Sequence, residues 1–180
     1  MTAAVVDARG ATPPPGLVPL GFVRRLVAML YEGVVLFGLV AVAGFLYSTL
    51  TQQRHALAGR AGLQAVLFVL IGLYFVWFWT RGGQTVAMKT WHVFLLDAAG
   101  QPVRAPRALA RYLASWLWFL PALACAHVAG WASSTAIFAA VATGVLAYAL
   151  LTQLLPGRQT AHDLLCGTRL LHRPPAPKPA

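Results

Sequence analysis

Glu32 is the residue best placed to do chemistry in this sequence, because it is an acid inside a long apolar stretch. It is the one charged residue between Leu26 and Leu50. A carboxylate in hydrocarbon costs on the order of 2.5–3.5 kcal/mol unless it is paired, hydrated or protonated. Glu32 is therefore either a site that binds a proton or a cation, or half of a structural ion pair that fixes helix packing. The sequence leaves both interpretations open.

Arg25 and Asp163 are the charges most able to act together with Glu32. Arg25 would lie on nearly the same helix face as Glu32 but roughly 10 Å away along the axis, which stretches a direct pair. Asp163 stands three residues after Thr160 in a helix-capping pattern, so it either caps a short helix or joins a charge pair. We predict that Arg25 and Asp163 are neighbours. His162 would point about 100° away from Asp163 on a helix, a poor geometry for a catalytic dyad.

The composition is that of a membrane protein. Of the 180 residues, 59% are hydrophobic and 10% are charged, whereas about a quarter of the residues in soluble domains are charged. The net charge of +10 alone would indicate a nucleic-acid binder. However, the apolar runs are long enough to cross a bilayer, and Lys and Arg gather in the cytoplasmic loops of membrane proteins. We therefore expect a lipid bilayer as partner and no nucleic acid.

No sequence pattern indicates an enzyme or a cofactor site. Cys125 and Cys166 stand in no metal or redox spacing. His127 is the one histidine inside an expected span, and no second axial ligand for a haem is found at its depth. The sequence also lacks a phosphate loop and a cluster of metal ligands. We expect no catalytic residue, no metal and no cofactor.

The apolar runs predict an all-α integral membrane protein with four transmembrane helices. Residues 112–157 contain no charge, and since about 20 residues cross the bilayer core, two spans share this run. Pro121 should kink the third span. The expected domains are a disordered tail at 1–21, a membrane domain at 22–173 with spans at about 26–50, 61–80, 108–128 and 134–155, and a Pro-rich tail at 174–180.

Two segments outside the spans have patterns of their own. The 81–111 segment is expected to lie in the membrane interface between helices 2 and 3, and its residues 86–96 fit a helix and a strand almost equally well. The stretch after the fourth span is expected to be a short helix that ends at Gly167, with leucines on both sides of that glycine against the membrane surface. No internal repeat is evident, so an inverted-repeat transporter core is not predicted.

The distribution of Lys and Arg predicts the orientation. All of them except Arg54 and Arg60 fall in the two termini or in the 81–111 segment. The positive-inside rule then places both termini and the 81–111 segment of this multi-pass membrane protein in the cytoplasm. The basic cytoplasmic face would attract anionic lipids.

Several short motifs together resemble the bacterial RDD family, which is named for one Arg and two Asp. The resemblance covers about residues 20–172. The motifs are the run from Arg24-Arg25 to Glu32, Gly82-Gly83-Gln84-Thr85, the turn from Asp97 to Gly100, Arg107 with Arg111, and His162-Asp163 followed by Gly167-Thr168.

The resemblance implies which residues matter. Arg25 matches the family's Arg and Asp163 its second Asp, whereas Glu32 stands where the family usually has its first Asp. That exchange keeps the charge but lengthens the side chain. The resemblance implies a multispan membrane domain, with transport suggested for some members. The primary site residues are Arg25, Glu32 and Asp163, and the secondary ones are Arg24, Gln84, Thr85, Arg111 and His162.

Two functions of different classes fit these residues. The first is a small ion- or proton-coupled transporter, or a subunit of one, in which Glu32 binds the proton or cation. The second is a non-catalytic assembly or scaffold module in which the charges form structural pairs. Four helices leave a monomer little room for a pathway, so transport favours a homo-oligomer or a partner membrane protein.

Overall fold

A computed structural model describes residues 16–51, 60–155 and 159–174. The expected tail residues 1–15, the loop at 52–59, the break at Pro156-Gly157 and residues 175–180 lie outside these ranges. The elements, in chain order, are β1 (Val18–Pro19), α1 (Phe22–Leu50), α2 (Arg60–Gly82), α3 (Val86–Thr90), β2 (Val93–Asp97), α4 (Ala105–Ser115), a 3-10 turn (Trp116–Trp118), α5 (Leu120–Val128), α6 (Ser134–Leu154), α7 (Ala161–Cys166) and β3 (Thr168–His172).

The prediction of four membrane-spanning helices is confirmed. Four helical stretches of the described chain are long and apolar enough to cross a bilayer, namely Phe22–Leu50, Ala61–Gly82, Ala105–Val128 and Ser134–Thr152. Their bounds agree with the expected spans to within a few residues.

The third stretch is interrupted, as predicted from Pro121. It consists of α4, the 3-10 turn and α5, and Pro121 lies in the first turn of α5. A proline has no backbone N–H and its ring clashes with the preceding turn, so it begins a helix more readily than it continues one.

The all-α prediction omits a three-stranded sheet, which the otherwise helical chain forms at one end of the bundle. The strand order is β1-β3-β2, and both pairings are antiparallel. The two readings of 86–96 are each correct in part, since 86–90 is a helix and 93–97 is a strand. The expected single amphipathic segment after the fourth span is also divided, because Leu170 and Leu171 belong to β3 and not to the short helix.

Two threonines begin the short helices, and a glycine in left-handed conformation ends the second of them. Thr85 accepts a hydrogen bond from the backbone N–H of Met88 as the N-cap of α3, and Thr160 caps α7 in the same way. Gly167, with φ of 64°, ends α7 as predicted. The short helices therefore lie at defined positions between the membrane helices and the sheet.

The main core lies where the sheet meets the membrane helices. It includes Leu20, Trp79, Val93, Leu95 and Tyr112, each at most 4% exposed. Close packing of these side chains holds α2 and α4 against β2, so the polar residues of the neighbouring turns are buried with them.

We predict that Gly83→Ala destabilises the protein more than any neighbouring glycine exchange. Gly83 has φ of 66°, and a Cβ there would lie 2.6 Å from the carbonyl oxygen of Leu95. The left-handed conformation alone costs about 1–2 kcal/mol for a residue with a Cβ. Gly82→Ala is the matched control, since nothing lies within 4 Å of its Cβ position. Melting temperatures in detergent should fall for the first variant only, and equal shifts would contradict this account.

Candidate functional site

Asp163 is the centre of a buried cluster of hydrogen bonds. Its side chain is 0% exposed. Arg111 in α4 donates to Oδ1 from Nε at 2.9 Å, and its Nη2 forms an ion pair with the same oxygen at 2.8 Å. Thr168 donates to the same oxygen at 3.0 Å, and Thr160 donates to Oδ2 at 2.5 Å. The carboxylate is therefore both paired and hydrogen-bonded, which is what a buried charge requires.

Asp163 combines the two roles that the sequence left open. The oxygen of the Thr160 hydroxyl accepts the backbone N–H of Asp163 at 3.3 Å, which completes the N-cap of α7. The hydroxyl proton of Thr160 goes to the Asp163 carboxylate. The capping turn and the ion pair with Arg111 thus share one side chain.

The pKa of Asp163 is held well below its usual range. Burial alone would raise this pKa, but the positive charges of Arg111 and Arg25 lower it, as does the hydrogen bond from Thr160. Asp163 is therefore ionised at neutral pH. Arg25, which is 3% exposed, lies close enough to act on Asp163 through its charge, whereas the direct partner shown for the carboxylate is Arg111. Direct contact between Arg25 and Asp163 stays a prediction.

Arg111 is held on two sides. It is 5% exposed, and its guanidinium carbon lies 4.4 Å from the ring centroid of Trp79. A planar guanidinium stacks on an indole while its edge donates to a carboxylate, so both contacts can form at once.

His162 connects the Asp163 cluster to α6. Its Nδ1 lies 3.2 Å from the hydroxyl of Tyr148, and its Nε2 lies 3.1 Å from the hydroxyl oxygen of Thr160. Since the Thr160 proton is given to Asp163, Thr160 can only accept from His162, which assigns the proton to Nε2. Tyr148 then donates to Nδ1. Burial lowers the pKa of His162 to about 4, more than the charge of Asp163 raises it, so the imidazole is neutral at pH 7.

Glu32 has a different environment from Asp163. Tyr74 in α2 donates to its Oε1 at 2.8 Å, and Thr85, the N-cap of α3, donates to its Oε2. In the described part of the chain, the ion pairs within 4.0 Å involve Asp97 and Asp163 but not Glu32. Hydroxyl groups, rather than a cation, therefore satisfy this carboxylate.

A cavity of about 340 Å³ brings most of the candidate residues together. Its walls are mainly apolar and aromatic, and its polar lining consists of Arg25, Glu32, Arg111, Ser115, Thr160 and His162. Among the described residues, no three side chains of His, Cys, Asp or Glu group as metal ligands. The cavity can hold a small organic molecule or an ion, with polar contacts at a few defined points.

Three of the predicted secondary residues act outside the cavity. Gln84 donates from Nε2 to the carbonyl oxygen of Val93 at 2.7 Å, which ties the turn before α3 to β2. Thr85 is fully buried and reaches Glu32 from its capping position. Arg24 is half-buried and acts through its charge on His172, whose pKa is lowered first by burial and then by Arg24.

Three hydroxyl residues of the site were not predicted. Tyr74 and Tyr148 lie in apolar runs where a tyrosine has no distinguishing pattern, and Thr168 stands next to a glycine in a turn-like sequence. The partners of these hydroxyls are 5 to 42 residues away along the chain. No local pattern identifies Tyr74 or Tyr148, whereas Thr168 belongs to the Gly167-Thr168 motif without having been assigned a role.

We predict that His162 makes the protein less stable below neutral pH. The pKa is 6.5 in the unfolded reference and about 4 in the folded protein, so between these values the unfolded chain binds a proton that the folded chain excludes. Stability is then lost as the pH falls from about 6.5 towards 4. In His162→Gln, the melting temperature should fall less between pH 7 and pH 5 than in the parent.

His92→Asn is the control, because His92 is exposed and lies outside the membrane-spanning stretches, and asparagine tolerates its left-handed backbone conformation. Its pH dependence should equal that of the parent. An unchanged pH dependence in His162→Gln would contradict the neutral, buried state of His162.

Comparison with known proteins identifies the family. The model described as "RDD family" matches residues 19–167. No curated protein and no solved structure matches the chain. The matched range contains α1 to α7 and ends at Gly167, so it includes Arg25, Glu32, Arg111 and Asp163. The chain therefore belongs to the RDD family.

Proposed function

We propose that the protein is a small transporter, or a subunit of one, in which Glu32 binds the coupled proton or monovalent cation. The observation that carries this proposal is the environment of Glu32. Glu32 belongs to a membrane helix and lines the cavity, and its carboxylate accepts hydrogen bonds from two hydroxyl groups. An intramembrane carboxylate that has no ion-pair partner in the described chain is expected to exchange a charge rather than to fix a helix.

Hydroxyl partners suit a carboxylate that changes its state. Tyr74 and Thr85 can each donate or accept, because an O–H group rotates about its C–O bond. When Glu32 is ionised both hydroxyls donate to it, and when Glu32 is protonated one of them can turn to accept. The same oxygen atoms can turn their lone pairs towards a cation that prefers oxygen ligands. A guanidinium partner could do neither, since it only donates.

The second candidate function is a non-catalytic assembly module. The Arg111–Asp163 pair favours it, because this pair is buried and saturated as expected for a structural contact. We prefer transport because Glu32 lacks that kind of partner. We propose no catalytic activity, since the polar groups of the cavity form no arrangement of nucleophile and base.

The orientation is part of the proposal. With both termini in the cytoplasm, the sheet would lie at the inner face of the bacterial inner membrane, where the excess of Lys and Arg would attract anionic lipids. A homo-oligomer or a partner membrane protein would complete the pathway, because a four-helix chain has little room for one.

We predict that a cysteine at position 101 is labelled only from the cytoplasm and one at position 133 only from outside. Gln101 and Ser133 are both exposed, so access and not burial decides the result. The measurement is reaction with a membrane-impermeant maleimide in intact cells and in inverted vesicles. Labelling of position 101 in intact cells would contradict the orientation.

We predict that Glu32→Gln abolishes coupled flux without loss of folding. The amide is neutral and still offers an oxygen to Tyr74 or Thr85, but it takes up no proton at neutral pH and offers a cation no negative charge. Flux of H⁺, Na⁺ and K⁺ is measured with purified protein in liposomes at equal protein density. Asp97→Asn is the matched control, since it exchanges an acid for its amide outside the cavity and should retain flux.

Two outcomes would contradict the assigned role of Glu32. Breaking a buried ion pair lowers the free energy of unfolding by about 3–5 kcal/mol. If the melting temperature of Glu32→Gln falls by an amount that corresponds to such a loss, the structural interpretation is favoured. Unchanged flux at normal folding would remove the carboxylate from the transport cycle.

A further inference from the structure

The pattern Gly-x-Gln-Thr occurs twice in this chain, at residues 82–85 and 157–160. Each copy follows a membrane helix and precedes a short helix and a five-residue strand. The first residues of α3 and α7 differ in number by the same amount as the corresponding residues of β2 and β3. No repeat is evident from the sequence alone, because the copies share only a few identical residues.

The local geometry of the two copies agrees. The hydroxyl of Thr85 and that of Thr160 each accept the backbone N–H three residues further on. The residue before each strand is left-handed, with φ of 51° at His92 and 64° at Gly167. A left-handed histidine is unusual, and it stands where the other copy has the glycine that favours this conformation.

The sheet relates the two copies by an approximate twofold rotation. The β2–β3 pair is centred on Leu95 and Leu170, and its two ends are equivalent under the rotation. A proline that precedes a membrane helix pairs with an equivalent strand residue in each copy. Pro19 pairs with Leu171 of β3, and Pro102 pairs with Leu96 of β2. Helices α1 and α4 begin three residues after these prolines. The described residues of 18–97 and of 102–172 therefore form two similar halves, called half one and half two.

The two halves differ in the residues that they present to the cavity. Arg111 of α4 stands where α1 has Ala28, and Asp163 of α7 stands where α3 has Met88. Ala28, Met88 and Arg111 all line the cavity, whereas Asp163 is not among its lining residues. At these equivalent positions half one supplies apolar side chains, whereas half two supplies a guanidinium that Asp163 holds on the side away from the cavity. The other two charged residues of the lining, Arg25 and Glu32, belong to half one.

We propose that this cavity binds an amphiphilic organic anion, a carboxylate or phosphate on an apolar chain. The anionic group would contact Arg111, with Arg25 on the same lining, and the chain would lie against the wall formed by Ala28, Met88 and Phe75. Asp163 is a positioning residue that acts through Arg111. This inference rests on the proposed function for its role in transport, since it names the solute class that accompanies the ion on Glu32.

The charge balance of the cavity supports an anion. Arg25, Arg111, Glu32 and Asp163 sum to zero when all four are ionised. A proton or cation at Glu32 leaves one positive charge, which an anionic group would neutralise. Uncompensated charge inside a membrane is costly, so occupancy of Glu32 and binding of the anion should favour each other.

The first experiment measures binding to the full chain in nanodiscs of zwitterionic lipid. The probe is 12-bromododecanoate, whose bromine quenches tryptophan fluorescence, and Trp79, Trp116 and Trp118 line the cavity. We expect saturable quenching that dodecanoate reverses and acetate does not. The alcohol 12-bromododecanol has the same chain without the charge and should bind at least about tenfold more weakly, a difference of about 1.4 kcal/mol. Equal binding of acid and alcohol would overturn the proposal.

A competing lipid distinguishes the source of the anion. If phosphatidylglycerol in the nanodisc displaces the probe, the occupant is a bilayer lipid. If only dodecanoate displaces it, the occupant is a single-chain acid. Either result supports an amphiphilic anion, and reversal by acetate would overturn it.

The second experiment removes the cationic wall without leaving a buried charge unpaired. Arg111→Ala alone would strand Asp163, so the variant carries Arg111→Ala, Asp163→Met and Thr168→Val, the residues that half one has at the equivalent positions 28, 88 and 93. We expect a melting temperature above that of Arg111→Ala and at least about tenfold weaker binding of 12-bromododecanoate. In the control variant the two replacement residues are exchanged, so that it carries Arg111→Met, Asp163→Ala and Thr168→Val. This control should be less stable than the first triple variant.

Each result decides one part of the proposal. A folded triple variant that binds the probe normally would overturn the role of Arg111. A triple variant no more stable than Arg111→Ala, or than the reversed control, would overturn the equivalence of the halves. These experiments measure binding and stability, so their results do not depend on whether Glu32 carries flux. In the same way, a failure to bind the probe would not decide the role of Glu32 in flux.

Discussion

The antiparallel pairing of β2 with β3 is the interaction on which the rest of the structure depends. It joins the two short segments that follow α2 and α6, five residue pairs long. Buried backbone groups must find hydrogen-bond partners, and these strands find them in each other and in β1. Because each strand follows a short helix with a threonine cap, fixing the strands also fixes the hydroxyl groups of Thr85 and Thr160.

The two buried acids show two ways to satisfy a carboxylate. Asp163 has a guanidinium and two hydroxyl groups, so its charge is permanent. Glu32 has two hydroxyl groups, which can follow a change of charge by rotation. The difference follows from position, since Asp163 faces α4 with Arg111 and Glu32 faces α2 and α3, which offer no cation there.

The cavity lies between halves that share a backbone plan but not their polar residues. A buried ion pair is often replaceable by apolar side chains of similar volume without loss of stability. Half one contains such a replacement at Ala28 and Met88, within the main core. The plan of the fold therefore does not require Arg111 and Asp163, which is why we connect them with binding in the cavity.

The sequence by itself determined the number of membrane helices, their bounds, the break at Pro121, and the cap and end of α7. These features depend on apolar length and on interactions between residues a few positions apart, so local patterns predict them. It also indicated Glu32, Arg25 and Asp163, because charges in so apolar a chain are few and costly.

Only the tertiary structure decided which groups those charges meet. Segment 86–96 is part helix and part strand because β3 is present to pair with residues 93–97, and β3 was not expected. Arg111 became the partner of Asp163, and Tyr74 and Thr85 the partners of Glu32, across 42 to 53 residues of chain. The approximate twofold relation was also not predicted, since apart from the short Gly-x-Gln-Thr pattern it resides in backbone conformation and strand register, which different side chains can produce. Contacts over such distances depend on how the helices and the sheet pack together, and that packing is decided by the whole chain at once.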